Sequence, residues 1–395
     1  MDALTTPLPK DWEIKTFRDI STINQGLQIP ISQRLKAPTE HAKFYITIQA
    51  LNNRKEFEYI KTYNESVVCH KDDILMTRTG NTGMVITNIE GVFHNNFFKI
   101  NFDRTLINKD FLVYFLSLEQ TQKTILRKAG TSTIPDLNHN DFYSLSIPLP
   151  PLNEQIAIAN ILSDVDRYLY SLDALILKKE SVKKALSFEL LSQRKRLKGF
   201  NQNWQRVRLG TYKYRRGSFP QPYGNPQWYS DNGMPFVQVY DVGENFKLTQ
   251  KTKQKISKIA QPMSVFVPKN SVIITLQGTI GRVALTQYDC YCDRTILIFD
   301  NNTLNDVNKY FFVLSLFTKF EEEKRKADGS IIKTITKQTL KDFEILLPPL
   351  NEQIAIANIL SALDHEIISL KNKKRQFENI KKALNHDLMS AKIRV

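Results

Sequence analysis

The sequence contains few cysteines and no long apolar segment. Its three cysteines, Cys69, Cys290 and Cys292, allow no even set of disulfides and indicate a reducing compartment. Cys290 and Cys292 are separated by a single residue, a poor spacing for zinc ligands, so we interpret them as unligated cysteines. No run of about 18 apolar residues occurs, and residues 1–10 resemble neither a signal peptide nor a transit segment. The sequence therefore predicts a soluble, cytoplasmic protein.

Catalytic motifs are also missing. No Gly-x-x-x-x-Gly-Lys-Ser/Thr phosphate loop occurs, which argues against ATP hydrolysis by this chain. The six histidines are scattered and suggest neither a metal site nor the base of a nucleophile. Asn225-Pro226-Gln227-Trp228 is the nearest match to the Asn/Asp-Pro-Pro-Tyr/Phe motif of adenine methyltransferases, but it lacks the second proline and is interpreted as a surface loop. We expect no catalytic residue, metal ligand or cofactor in this chain.

The sequence has fewer acidic than basic residues. Lys and Arg total 55 against 40 Asp and Glu, which gives a formal net charge of +15. Residues 1–150 carry 17 basic and 16 acidic side chains, whereas residues 199–346 carry 21 and 13, so the excess lies mainly in the second half and on the two helical segments that follow residues 150 and 346. A basic excess favours a polyanionic partner, most often nucleic acid. A solvated basic surface that serves solubility is the alternative.

The sequence does contain a long internal repeat. Residues 151–163 read PLNEQIAIANILS, and residues 349–361 repeat all thirteen. Such identity in a chain without low-complexity segments indicates a duplication. A second pair of segments, DILMTRTGNTG at 73–83 and SVIITLQGTIG at 271–281, has the same offset of 198 residues. We therefore interpret the chain as two similar halves.

Each copy of PLNEQIAIANILS begins a predicted long helix. Proline precedes Asn153 and Asn351, the expected N-caps, and apolar residues then recur with the spacing of a coiled-coil seam. Lys179, Lys374 and Lys381 interrupt that seam, which predicts looser packing in the distal turns. The predicted helix-pair packing residues are Ile158, Leu162, Val165, Leu169 and Leu172 in the first helix and Ile356, Leu360, Leu363, Ile367, Leu370 and Phe377 in the second.

Chain connectivity predicts that the two helices run antiparallel. The first, about 36 residues from Ile156 to Leu191, would be about 54 Å long. A short linker at 193–199 and a module with a radius of gyration near 15 Å cannot easily carry the chain back along such a rod. The expected result is a globular domain at each end of a helical bar, related by a pseudo-twofold axis. Two unrelated surface helices, each packed on its own domain, are the alternative.

The segments flanking the helices predict two mixed α+β lobes. The expected domains are residues 1–150 (lobe 1), 151–198 (central helix), 199–346 (lobe 2) and 347–395 (C-terminal helix). Strands are predicted at 13–20, 45–49, 84–87 and 145–149 in lobe 1 and at 205–210, 236–240, 282–286 and 343–347 in lobe 2. Amphipathic helices are expected at 109–126 and 308–325, followed by polar loops at 129–133 and 327–331. The fold class is therefore α+β with two similar lobes.

These features resemble one known family. Two variable lobes, each with a Pro-Leu-x-Glu-Gln-x-x-Ile-Ala helix start and with Asp-Ile-Leu-x-x-x-x-Gly-x-x-Gly before it in lobe 1, resemble the specificity subunits of type I restriction-modification systems. The resemblance covers essentially the whole chain. It implies two target-recognition domains, each reading one half of a bipartite, asymmetric sequence in double-stranded DNA. The paired helices would set the gap between the half-sites.

The same resemblance implies the partners. The helix pair would dock two methyltransferase subunits and, outside them, two restriction subunits. Those subunits, and not this chain, would bind S-adenosylmethionine for adenine N6 methylation, and ATP and Mg for DNA translocation and cleavage. Two other classes stay open, a coiled-coil adaptor whose lobes bind protein, and a single-chain methyltransferase or nuclease, which the missing motifs disfavour.

Candidate DNA contacts lie at loops and strand ends. Arg, Lys, Asn and Gln read base edges, while Ser, Thr and backbone amides bind phosphates. The two Gly-x-x-Gly turns could let a phosphate backbone approach, but the signal is weak and a plain hairpin turn is the favoured interpretation. The candidates are Thr47, Gln49, Arg78, Thr79, Asn81 and Thr82 in lobe 1, and Arg215, Arg216, Gln238, Tyr240, Lys251, Lys253, Lys255, Gln277, Thr279 and Arg282 in lobe 2.

Overall fold

The computed structural model describes residues 8–52, 57–278, 280–326 and 337–395. The chain divides into two compact units, residues 1–175 with 370–395 (the first unit) and residues 176–369 (the second unit). Each unit therefore consists of one lobe and one half of each long helix. The predicted domain boundaries cut the chain differently, since they keep each long helix whole, and they stay a prediction.

Lobe 1 combines short strands with short helices, as predicted. Its elements are β1 (Glu13–Thr16), α1 (Phe17–Ile20), β2 (Ser21–Gln25), β3 (Lys43–Ile46), α2 (Ile48–Asn52), β4 (Tyr59–Ile60), β5 (Val68–Cys69), β6 (Ile74–Thr77), β7 (Val85–Ile86), β8 (Gly91–Phe93), β9 (Phe97–Phe102), α3 (Lys109–Leu116), α4 (Glu119–Ala129), α5 (His139–Tyr143) and β10 (Ser146–Leu149). The long helix α6 (Leu152–Leu191) follows. The described strands form two four-stranded sheets, ordered β2-β9-β6-β7 and β4-β3-β8-β5, and a β1-β10 pair.

Lobe 2 has the same topology. Its elements are β11 (Gln205–Arg208), β12 (Tyr214–Arg216), β13 (Tyr229–Val237), β14 (Gln254–Ile256), β15 (Val265–Val267), β16 (Val272–Thr275), β17 (Val283–Leu285), β18 (Cys290–Cys292), β19 (Ile296–Phe299), α7 (Lys309–Lys326), α8 (Lys337–Asp342) and β20 (Glu344–Leu347), before α9 (Leu350–Met389). The sheet orders are β12-β19-β16-β17 and β14-β13-β18-β15, with a β11-β20 pair. Even the parallel pairing recurs, β3 with β8 and β13 with β18. The predicted duplication of an α+β lobe is confirmed.

Several predicted strands end early because a side chain caps a turn at that point. The strand expected at 13–20 ends at Thr16, whose N–H donates to the Asp19 carboxylate at 2.8 Å and begins α1. The strand expected at 45–49 ends at Ile46, since the Thr47 hydroxyl accepts the Ala50 N–H at 3.1 Å and starts α2. Short polar side chains compete with the strand ladder in this way.

Other boundaries also differ from the sequence prediction. The strand expected at 236–240 ends at Val237, since the Asp241 carboxylate accepts the Gln238 N–H at 2.9 Å. The helix expected at 109–126 is divided into α3 and α4 around Ser117, whereas α7 is continuous. The polar loop predicted at 327–331 lies outside the described residues.

The long helices begin one residue before the predicted N-caps. The Pro151 carbonyl accepts the N–H groups of Glu154 at 2.9 Å and Gln155 at 3.0 Å, and Pro349 does the same at the start of α9. The residues Asn153 and Asn351 therefore lie inside the first turn, and the prediction that they are N-caps was wrong. Proline lacks an N–H group and its fixed φ suits a helix start, so the chain turns helical directly after it.

Ion pairs define the direction of the helices within each unit. In the first unit Lys381 pairs with Asp166 at 2.5 Å and Lys374 with Asp173 at 2.6 Å. Residue numbers rise along one helix as they fall along the other, so these two segments run antiparallel. In the second unit Lys179 pairs with Glu366 at 2.7 Å, and Lys183 pairs with Asp364, again in antiparallel order.

The lysines that interrupt the apolar seam make these ion pairs. Lys179, Lys374 and Lys381 each reach a carboxylate on the other helix. A lysine can do so because its methylene stem packs along apolar surface while its ammonium group stays at the edge. The interruptions therefore connect the helices electrostatically, which the apolar pattern alone did not indicate.

The predicted packing residues are most buried near the lobes. Ile158 and Leu162 share one apolar cluster with Leu388 and Met389, next to lobe 1. Ile356 and Leu360 share another with Leu190, next to lobe 2. Of the other predicted packing residues, Leu172 and Ile367 are buried, whereas Val165, Leu169, Leu363, Leu370 and Phe377 are half-buried.

Each long helix starts at a buried glutamate held by a tryptophan and an arginine. Glu154, 5% exposed, accepts the Trp12 indole N–H at 3.1 Å and two bonds from Arg394, at 3.1 and 2.8 Å. Glu352, 1% exposed, accepts the Trp204 indole N–H at 3.2 Å and two bonds from Arg196, at 3.1 and 2.6 Å.

Each arginine follows one long helix and binds the first turn of the other. Arg394 follows α9 and binds the start of α6, while Arg196 follows α6 and binds the start of α9. The helix N-terminus adds a favourable field for the carboxylate. We call these two arrangements the Trp-Glu-Arg clasps.

We expect Arg196→Ala to destabilise the protein. Removing the bidentate donor leaves the Glu352 carboxylate buried with the Trp204 N–H as its remaining side-chain donor, at a cost of about 2–3 kcal/mol for a partly exposed arginine. Urea unfolding of the full chain measures the change, and exposed Lys198→Ala is the matched control. Equal unfolding midpoints for the two variants would show that the clasp contributes nothing to stability.

Candidate nucleic-acid interface

The Gly-x-x-Gly turns join β6 to β7 and β16 to β17. The strand-end threonine organises each turn, since the hydroxyl of Thr77 accepts the Met84 N–H at 2.9 Å and that of Thr275 accepts the Arg282 N–H at 3.1 Å. Gly83 has φ +91°, and a Cβ there would lie 2.7 Å from the Gln122 side chain. The backbone conformation thus requires the second glycine of the turn in lobe 1, whether or not DNA approaches it.

Three lobe 1 candidates tie this turn to the segment after α4. Arg78 pairs with Asp136 at 2.7 Å, and the Thr79 hydroxyl bonds to the same carboxylate. Buried Thr82 donates to the Pro135 carbonyl at 2.7 Å. These groups are occupied within the protein, while Asn81 is exposed at the tip with φ 53°.

The other two lobe 1 candidates lie at the start of α2. Thr47 is buried and caps the helix, whereas Gln49 is exposed. A Cβ on Gly80 would lie 3.0 Å from Ile48, so α2 is packed beside the turn. A surface depression there is lined by Arg34, Thr47, Ile48, Gln49, His94 and Asn96.

Arg34, His94 and Asn96 are site residues that the sequence analysis did not select. His94 Nδ1 accepts the Asn96 N–H at 3.1 Å, so Nε2 carries the proton of the neutral ring. Burial lowers the pKa of His94, and the nearby Arg34 guanidinium lowers it further. The polar run His94-Asn95-Asn96 between two apolar segments, which the structure shows as β8 and β9, was the available signal.

The charge of Arg34 is paired within lobe 1. Arg34 pairs with Glu58 at 3.0 Å and donates to the Ile29 carbonyl at 2.7 and 2.8 Å. Burial alone would raise the pKa of Glu58, but the hydrogen bonds from Lys36 and Arg34 outweigh it, and the pKa lies below its usual value. The Arg34 guanidinium that lines the depression is therefore engaged by a carboxylate and a carbonyl of its own lobe.

Backbone hydrogen bonds identify the equivalent positions in lobe 2. The N–H of His94 donates to Ile46 at 3.0 Å, as that of Asp293 donates to Val237 at 3.0 Å. Counting onward from Ile46 and Val237 makes Gln49 the equivalent of Tyr240. In the same way, Asn96 accepts the Arg78 N–H at 2.7 Å and Thr295 accepts that of Leu276 at 2.8 Å. The two lobes thus place different side chains on the same backbone frame.

Three lobe 2 candidates form one cluster. Tyr240 is 44% exposed, its hydroxyl donates to the Gln238 amide, and the Lys253 ammonium lies 5.1 Å from its ring centroid. Buried Asp241 accepts the N–H groups of Gln238 and Lys253, both at 2.9 Å, and burial raises the pKa of its carboxyl. The cluster combines an aromatic face, an amide and a cation.

Two further lobe 2 candidates lie at the β16–β17 turn. Gln277 is exposed. Arg282 pairs with Glu244 at 2.7 Å and donates to the Val242 carbonyl at 3.2 Å. Arg78 and Arg282 are thus both held by contacts within the protein, and that either contacts DNA stays a prediction.

The remaining lobe 2 candidates are dispersed. Arg215 and Arg216 lie on β12, at the opposite edge of its sheet from β17, and Arg215 donates to the Phe266 carbonyl at 3.1 Å. Lys255 donates to the Asp231 carbonyl at 2.7 Å, and Lys251 is exposed. Thr279 lies outside the described residues.

Metal-ligand clusters and membrane-spanning helices are absent from residues 8–52, 57–278, 280–326 and 337–395. Within those ranges, no group of three or more His, Cys, Asp or Glu side chains is arranged to hold a metal ion. None of the helices that the structure describes is both long and apolar enough to span a membrane. The three cysteines are buried and unpaired, and burial raises the pKa of the Cys69 thiol to about 12.

Comparison with known proteins shows the family to which this duplicated chain belongs. Residues 9–179 and 221–379 match the family profile of the type I restriction modification DNA specificity domain. The chain belongs to the type I restriction modification DNA specificity family. The two matches to the specificity domain correspond to the two halves of the internal repeat, each combining a lobe with much of the helix that follows it.

Related specificity subunits span nearly the whole chain. It is 27% identical over 419 residues to the putative type I restriction enzyme MjaX specificity subunit of Methanocaldococcus jannaschii, covering 98% of this chain and 95% of that protein. It is 24% identical over 414 residues to the MjaVIII specificity subunit of the same organism, covering 98% and 94%.

Solved specificity subunits share the fold. The type I restriction-modification S subunit from M. genitalium has a TM-score of 0.61 and 16% identity, over 97% of this chain and 98% of that one. The HsdS subunit from Thermoanaerobacter tengcongensis has a TM-score of 0.51 and 18% identity, over 98% and 99%. The expected specificity-subunit fold is confirmed.

We expect His94 to make stability fall in mild acid. Its folded-state pKa is below the unfolded value of about 6.5, so as pH falls through that range the unfolded chain binds the proton first and folding loses free energy. His94→Asn keeps an acceptor for the Asn96 N–H, as Asp293 does for Thr295 at 2.8 Å. The wild type should therefore lose more unfolding free energy than this variant between about pH 7.5 and 5.5.

Denaturant unfolding at a series of pH values checks this difference. His41→Asn is the matched control, because the His41 side chain is 81% exposed. A parallel pH dependence of wild type and His94→Asn would contradict the role given to His94.

Proposed function

We propose that this chain is the DNA sequence-specificity subunit of a type I restriction-modification complex, in which each lobe reads one half of a bipartite, asymmetric site. The observation that carries this proposal is the contrast between the lobes. Their sheet topology is the same, yet equivalent surface positions carry Gln49 and Asn96 in one and Tyr240 and Thr295 in the other. One scaffold with two different reading surfaces suits two unlike half-sites.

The helix pair is the spacer in this proposal. Modules that contact the same side of a duplex lie about one helical turn apart, roughly 34–36 Å. A 40-residue helix such as α6 is about 60 Å long, enough to span that distance. The antiparallel segments seen within each unit, joined by apolar contacts and ion pairs, support a stiff spacer.

The catalysis belongs to partner subunits in the same proposal. Two methyltransferase subunits would bind S-adenosylmethionine and methylate adenine at N6, and two restriction subunits would use ATP and Mg for translocation and cleavage. The support from this chain is its sequence, which contains neither a phosphate loop nor a complete adenine-methyltransferase motif. Localisation with the DNA in the cytoplasm follows from the same role.

A binding selection tests the proposal. The full chain assembled with its methyltransferase subunits is incubated with duplexes that carry two randomised segments separated by gaps of varied length, and bound DNA is sequenced. We expect enrichment of one asymmetric pair of half-sites at one gap length. Binding without sequence preference would overturn DNA readout and favour a protein-binding adaptor.

A second measurement tests the absence of catalysis. The purified chain alone and the assembled complex are each incubated with DNA and labelled S-adenosylmethionine. Methyl transfer should require the partner subunits. Transfer by the chain alone would contradict its assignment as a recognition subunit.

A further inference from the structure

The depression beside α2 in lobe 1 has the chemistry of a base-reading site. Gln49 and Asn96 both line it, and neither carboxamide bonds to another protein group within the part of the chain that the structure describes. Gln49 is exposed, and Asn96 is half-buried at the wall. A carboxamide with a free oxygen and a free NH₂ group can accept one hydrogen bond and donate another to the same base edge.

The backbone fixes both residues. Thr47 caps α2 through its hydroxyl and thereby sets the direction of the first helical turn, on which Gln49 lies. The Ile48 side chain packs against Gly80, since a Cβ added to Gly80 would lie 3.0 Å from Ile48 Cδ1. This contact holds α2 against the turn. Asn96 is held by its N–H to His94 and by its carbonyl, which accepts the Arg78 N–H at 2.7 Å. The backbone positions of both residues are therefore set before a ligand arrives, and the cost that remains on binding is the rotamer entropy of the side chains.

The charges beside the depression decide which base such a site suits. Guanine is most often read by Arg or Lys, whereas adenine is read by the bidentate carboxamide of Asn or Gln. The two arginines next to the depression are both held by carboxylates, Arg34 by Glu58 at 3.0 Å and Arg78 by Asp136 at 2.7 Å. The carboxamides are therefore the groups left to contact a base edge.

We propose that Gln49 and Asn96 are specificity-determining residues of lobe 1 that read the major-groove edge of an adenine in its half-site. Gln49 accepts from the adenine N6 amino group and donates to N7, while Asn96 bonds to the same or the adjoining base pair. Tyr240 and Thr295 occupy these positions in lobe 2, so its half-site lacks this contact. This inference rests on the proposed function and names the residues and the base through which one lobe performs it.

Gln49→Ala and the isosteric Gln49→Glu test this assignment in the complex assembled with methyltransferase subunits. A glutamate accepts but cannot donate to N7, and it favours the cytosine amino group. In the binding selection we expect each variant to lose discrimination at one A·T pair by roughly 5- to 150-fold, with cytosine gaining in the Gln49→Glu motif. Asn96→Ala should relax the same or the adjoining position.

Two further variants locate the effect. Tyr240→Ala should change only the other half-site, which assigns each half-site to its lobe. Gln120→Ala, an exposed glutamine on α4 of the same lobe, should leave the motif unchanged. Circular dichroism and size-exclusion chromatography verify that each variant folds and assembles.

The outcomes separate this inference from the proposed function. The inference is supported if the Gln49 variants relax an adenine position in the half-site that Tyr240→Ala leaves unchanged. An unchanged motif in both Gln49 variants, or a relaxed position that is not an A·T pair, overturns it while leaving the proposed function standing. A wild-type complex that selects no bipartite site overturns both.

Discussion

Burial of a carboxylate at the start of each long helix is the constraint on which the rest of the structure depends. Glu154 and Glu352 lie almost fully buried, where an unpaired charge would be prohibitively unfavourable. Each therefore needs the indole N–H from the opening of its lobe and the guanidinium that follows the other long helix. Lobe, first helix turn and returning chain must come together at the same point for the charge to be satisfied.

The glutamine beside each glutamate connects the same point to the lobe interior. Gln155 accepts the Asn108 N–H at 2.9 Å and donates to Leu106 and Pro150 carbonyls, and Gln353 makes the matching bonds around Asn308. These bonds, together with the buried Ile158 and Ile356, explain why the Glu-Gln-Ile-Ala-Ile segment can be identical in both halves. The segment faces the same backbone environment twice, so the same side chains satisfy it twice.

The surface positions obey no such constraint. Two pairs of equivalent backbone positions carry different side chains, Gln49 against Tyr240 and Asn96 against Thr295. The sheet order is the same in both lobes despite these differences. A duplicated scaffold can therefore change the side chains on its ligand-binding surface while its buried contacts stay the same. This division between the buried and the exposed parts of each lobe is what a reader of two unlike sequences requires.

The residue pattern alone predicted the duplicated α+β lobes and the long helices, because apolar periodicity and an exact repeat are properties of the chain as written. The antiparallel course of the helices followed from the short linker between the first helix and lobe 2. It could not predict that Lys179, Lys374 and Lys381 connect the helices, because their partners lie on the other helix. Nor could it predict that Arg34 and Arg78 are occupied by Glu58 and Asp136, 24 and 58 residues away along the chain.

The sequence by itself therefore determined the duplication, the fold class and the two long helices, since these depend on the repeat and on apolar periodicity along the chain. The exact ends of strands and helices were decided by side-chain caps that form only in the folded chain. Only the tertiary structure decided which polar side chains remain available to a partner. A hydrogen-bonding group is available only if no other part of the chain satisfies it, and that depends on neighbours brought together by folding rather than by sequence.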